Sequence, residues 1–111
     1  MKIPLAIKIA GKVWTVRQDP CLGVERSIFG EMRPVAQEIV IDKLLTNDRK
    51  EATLLHEIIE VINGDNELGM EHPQITTLAS QLHQVIKDNR LVFHTDDINK
   101  RSEQREDGRA R

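Results

Sequence analysis

The chain has 111 residues, 39% of them hydrophobic, which is enough for one domain with a single modest core. A net charge of −2 and a pI near 6.1 leave no electrostatic footprint for nucleic acid or an anionic membrane. A lone cysteine, Cys21, excludes an internal disulfide, and Trp14, Phe29 and Phe93 are too few aromatics for a base-stacking platform.

The N-terminal segment lacks the apolar stretch of a signal peptide, and no run approaches 18 apolar residues. The expectation is a soluble, cytoplasmic protein without a membrane partner. The first seventeen residues read as a β-hairpin. Leu5, Ile7 and Ile9 alternate with Ala6 and Lys8, Ala10-Gly11 supplies a two-residue turn, and residues 12–16 return. This register sets Ile7 opposite Trp14 and Leu5 opposite Val16, placing apolar side chains on one face. Residues 18–25, with Asp19-Pro20 and Gly23, read as a loop. A second strand pair is expected at about 27–31 and 37–42, with Arg33-Pro34 marking the turn.

Thr46 or Asn47 is the expected N-cap of a helix that carries Asp48 and Glu51 in its first turn and stops at Asn63-Gly64. A connection of about seven residues leads to a second helix from His72-Pro73 to about Asn89, with Ile75, Leu78, Leu82, Val85 and Ile86 as its apolar face. The expected fold class is α+β: a small, mainly antiparallel sheet packed on two helices, forming a domain over residues 1–94. From Thr95 to Arg111 the chain is almost wholly polar or charged and reads as a disordered tail.

The chemistry lies in His56-Glu57-Ile58-Ile59-Glu60. A histidine and a glutamate four apart on a helix point the same way and can grip one metal ion. Glu57 points about 100° away from His56, so it is the candidate general base rather than a ligand. At 100° per residue, Thr53, His56, Glu57, Glu60, Asn63 and Gly64 share a sector about 120° wide, while apolar residues fill the rest. The helix therefore reads as largely buried, with a polar slot cut into one side.

Catalytic zinc sites use three protein ligands and keep one position open. A short connection folds the second helix back antiparallel, which brings His72 close to Glu60. His72 is the expected third ligand, with neighbouring Glu71 as the alternative. His83 lies about 16 Å further along the same helix and cannot reach the same ion, and His94 sits near the chain's frayed end. Two histidines and one carboxylate form a recognised catalytic zinc set, although the extra carboxylate raises the claim of a harder ion such as manganese.

The order of elements and the runs at 54–63, 68–72 and 82–89 resemble the small zincin-like proteins of bacteriophages and prophages. Those proteins carry Leu-Leu-His-Glu-Ile-Ile followed by His or Glu, and the likeness spans roughly residues 3–90. It implies a minimal zincin core related to phage-repressor-cleaving peptidases and SprT-like proteins, with His56 and Glu60 as ligands and Glu57 as base. Position 83 is histidine where those relatives tend to have tyrosine. The implied activity is a zinc-dependent metallopeptidase or hydrolase that takes a protein or peptide docked beside the sheet edge. The alternative is a non-catalytic, zincin-derived protein-binding module. A nucleic-acid role is disfavoured by the charge balance.

Overall fold

A computed structural model describes residues 2–92. The order of elements is β1 (Ala6–Ile9), β2 (Lys12–Asp19), α1 (Leu22–Arg26), β3 (Gly30–Arg33), β4 (Glu38–Asp42), α2 (Asn47–Asn66) and α3 (His72–Asp88). The four strands form one sheet in the order β1-β2-β4-β3. The β1/β2 and β3/β4 pairs are antiparallel, and β2/β4 is parallel. The protein is thus α+β, with a mainly antiparallel sheet against two principal helices. No helix among the described residues is long and apolar enough to cross a membrane. The charged segment from Thr95, and His94, lie outside the described residues.

The first hairpin closes on Ala10 and Gly11, both at positive φ (51° and 81°), the pattern of a type I′ turn. Its twist matches that of the strands, and Ile7 stands opposite Trp14 as the alternation requires. The Val16 N–H donates to the Leu5 carbonyl, which continues the same register, but the Leu5 side chain is exposed because it lies beyond the reach of the core. Trp14, Val16, Ile39 and Ile41 line the inner face of the sheet and pack against Leu54 and Val61 of α2.

The expected loop at residues 18–25 is instead structured. Gln18 and Asp19 extend β2 beside Ile41 and Asp42, and residues 22–26 form the short α1. Asp19 Oδ1 accepts the Cys21 N–H, turning the chain after Pro20, and the buried Leu22 anchors α1 near β4. The second strand pair begins later than expected, at Gly30. Its turn occupies residues 34–37, closed by a Gln37 N–H to Pro34 carbonyl bond.

Thr46 caps α2, its hydroxyl accepting the Arg49 N–H. The helix runs past Asn63-Gly64 to Asn66 and ends on Glu67 in the left-handed region. Asn63 does not stop it because its side chain is used elsewhere. The Asn63 amide donates to the Met70 carbonyl and its Oδ1 accepts the Met70 N–H at 2.9 Å, pinning the α2–α3 connection two residues before His72.

The face that α3 buries differs from the one expected. Ile75, Ala79 and His83 are buried, whereas Leu78, Leu82 and Val85 are 40–48% exposed. The small Ala79 lets α3 approach α2 closely beside Ile59, and a hydrogen bond between His83 and Glu51 rotates the larger side chains outward. Glu51, expected in the first turn of α2, is for the same reason buried.

Candidate metal centre

Helix α2 sits between the sheet and α3, so its polar slot opens into the gap between β3 and α3. His56 and Glu60, one turn apart, stand 3.3 Å apart (Nε2 to Oε2). The pinned connection and the N-terminal end of α3 bring His72 alongside. Its Nδ1 lies 3.8 Å from Glu60 Oε2, and its ring centre is 5.0 Å from that of His56. One ligand atom from each of His56, Glu60 and His72 falls within 4.8 Å of the others, close enough that a small adjustment of the side chains would let the three hold one ion. The alternative third ligand, Glu71, is outside this group. It occupies the N-cap of α3 in a capping box with Gln74, and Pro73 takes the second helical position.

His72 is also held from its other side. Its Nε2 lies 3.4 Å from the Thr76 hydroxyl, one turn further along α3. A histidine ligand whose second nitrogen is engaged has its tautomer and ring orientation fixed, and Thr76 occupies that place here.

Glu57 is 7% exposed and points toward the sheet. Among the described residues no donor hydrogen-bonds its carboxylate. Burial, together with the nearby Glu60 and Glu31 carboxylates, pushes its pKa up to about 7, from the ordinary 4.5. A carboxyl group tuned to neutrality in this way can exchange a proton at physiological pH, as a general base must.

The wall beside Glu57 is the edge strand β3. A side chain at Gly30 would place its Cβ 2.5 Å from Thr53 Cγ2 and 3.3 Å from Glu57 Oε2, so only glycine lets this strand approach α2 so closely. The space enclosed is a cavity of about 380 Å³, lined by Phe29, Gly30, Thr53, His56, Glu57 and His72 among others. β3 is one of the two edge strands of the sheet, and its Gly30 borders this cavity.

His83, the histidine judged out of reach, is indeed elsewhere. Its Nε2 is 2.7 Å from Glu51 Oε1, and Asp48 close by receives Lys87 at 2.7 Å on both oxygens. Asp48, Glu51 and His83 also converge within 4.8 Å. With these interhelical bonds in place they fasten the N-terminal half of α2 to the C-terminal half of α3. Sequence reasoning missed this fastening, along with Gly30, Phe29 and Thr76. The Glu51–His83 pair spans 32 residues and leaves no local trace, whereas Thr76 is detectable as the i+4 neighbour of His72.

No protein-family model, curated protein or solved structure matches the chain.

Proposed function

We propose that the protein is a metal-dependent hydrolase of peptide bonds, with His56, Glu60 and His72 holding the ion and Glu57 acting as general base. The observation that carries this reading is the pairing of two features: three convergent ligand residues, two of which (His56 and His72) line a cavity bordered by the edge strand β3, and in the same cavity the buried Glu57 carboxylate, which has no hydrogen-bond donor among the described residues. A structural ion needs no such carboxylate, and strongly raised carboxyl pKa values, which cost stability, cluster at functional sites. The resemblance of the 54–63 run to zincin-like phage proteins supports the same roles.

The donor set fits zinc, two imidazoles and one carboxylate being a known catalytic combination; manganese is the second choice because Glu60 replaces a nitrogen donor. When bound, such an ion polarises a carbonyl and acidifies water. The chain's own contributions follow from its geometry. The unpaired β3 edge offers backbone groups to an extended peptide and holds it alongside Gly30. The Glu57 carboxylate, in its ionised form, accepts a proton from water in the cavity and afterwards returns it to the departing amine. Thr76 fixes the orientation of His72, and the Asn63–Met70 bonds fix where α3 begins.

The test is cleavage of a pool of internally quenched peptides by zinc-loaded protein, compared with Glu57→Gln. Cleavage by the wild type, lost in a variant that still binds zinc, is the expected result. Zinc binding and peptide binding without cleavage in either protein would favour the binding-module alternative.

A further inference from the structure

The groove continues beyond the ligand group. Arg49 and His56 are seven residues apart on α2, nearly two full turns, so they lie on one stripe about 10 Å apart along the axis. Between them this stripe presents Ala52 and Thr53. Helix α3 faces it with Ala79 and Ser80, and Phe29 closes the third side. Together these residues enclose a second cavity of about 310 Å³, which shares Phe29, Thr53, His56 and Thr76 with the cavity at Glu57. Its walls beside His56 are ring carbons and methyl groups, a lining that accepts an apolar side chain.

The far end carries charge. Asp48 is there, but both of its oxygens are engaged by Lys87. Arg49 is different. Its guanidinium lies 5.3 Å above the Phe29 ring, and among the described residues no carboxylate pairs with it. Stacked there, it presents its donors at the end of the apolar section. An extended chain advances about 3.3 Å per residue, so a group bound at Arg49 is one to three residues from a carbonyl beside His56.

We propose that the substrate is a peptide with an apolar side chain next to the scissile bond and a carboxylate one to three residues away, bound by Arg49. The scissile bond in this statement rests on the hydrolase reading above; the groove's preference for an apolar and anionic ligand does not. Either an acidic side chain or a free chain terminus supplies the carboxylate chemistry.

The experiment uses dye-labelled peptides read by fluorescence anisotropy on the full-length Glu57→Gln protein, with zinc and separately with EDTA. One probe contains leucine, alanine and glutamate in sequence with an amidated end. A second ends at leucine-alanine with a free carboxylate. Controls replace glutamate by glutamine, the free end by an amide, and leucine by serine. At least one carboxylate probe should bind about tenfold more tightly than its neutral control, as one charge-assisted hydrogen bond provides. Serine in place of leucine should cost a similar factor. Arg49→Gln should erase the carboxylate gain and keep the leucine gain. Which probe shows the gain identifies the source of the carboxylate. Equal affinities throughout, no measurable binding of any probe, or a carboxylate gain that survives Arg49→Gln would overturn the proposal. If the preference persists in EDTA while the protein takes up no zinc, the groove assignment stands and the hydrolase reading falls. Zinc uptake without the preference overturns the groove assignment and leaves the hydrolase reading in place.

Discussion

Glu57 should make the metal-free protein lose stability as pH rises through neutrality, and Glu57→Gln should abolish that loss. Its carboxyl holds a proton up to about pH 7 in the folded state, whereas in the unfolded chain it releases it near 4.5. Between those values the folded state binds more protons than the unfolded one, so each step up in pH favours unfolding. The stabilisation is fully present below about pH 4.5 and gone above about pH 8. At about 1.4 kcal/mol per pH unit the interval is worth at most about 3.5 kcal/mol, and the water that reaches the carboxylate through the open cavity lowers this to roughly 2 kcal/mol. Glutamine has the same shape and never ionises. Urea unfolding of both proteins in EDTA, at pH 5 and pH 8, measures the effect. The stability of the variant relative to wild type should improve by roughly 1–2 kcal/mol between the two pH values. Contributions from groups that do not interact with Glu57 are common to both proteins and largely cancel in this double difference, whereas the repulsion from Glu60 and Glu31 is part of what it measures. An unchanged difference would refute the claim that Glu57 is held protonated by burial and its carboxylate neighbours.

Three further substitutions test the frame around the site. Gly30→Ala drives a methyl group into Thr53 and against Glu57, and should destabilise the fold by about 1–3 kcal/mol in denaturant titration. Thr76→Val removes the partner of His72 Nε2 and should weaken zinc retention about tenfold against a competing chelator, with stability nearly unchanged. His83→Ala removes one hydrogen-bond partner of the buried Glu51 and should cost about 1–3 kcal/mol of stability while sparing zinc affinity, since the pair lies away from the ligand group.

Much of this architecture is legible in the sequence because it is set by local rules. The Ala10-Gly11 turn fixes the first hairpin, alternation fixes which side of β2 faces inward, and the 3.6-residue period gathers the slot residues of α2. The approach of His72 to Glu60 also follows from a local constraint, the short return from α2 to α3. What the sequence conceals depends on contacts between distant segments. Asn63 and Gly64 look like a helix stop, but the bonds from Asn63 to Met70 turn that asparagine into a loop anchor and let α2 continue to Asn66. The large apolar residues of α3 point to one buried face. Yet Ala79 and the Glu51–His83 bond select the adjacent one, because close helix approach favours a small side chain over leucine. Gly30 looks like an ordinary strand glycine until its distance to Thr53 and Glu57 is known.

The hydrolase reading depends on His56, Glu60 and His72 binding one ion. Zinc titration of untagged, EDTA-stripped protein, read by competition with a chromophoric chelator, tests this when run beside His56→Ala, His72→Ala and Glu71→Ala. Wild type and Glu71→Ala should each take up a single equivalent of zinc, and both histidine variants should lose that site. A folded wild type that takes up neither zinc nor manganese, or histidine variants that bind as well as the wild type, would contradict it.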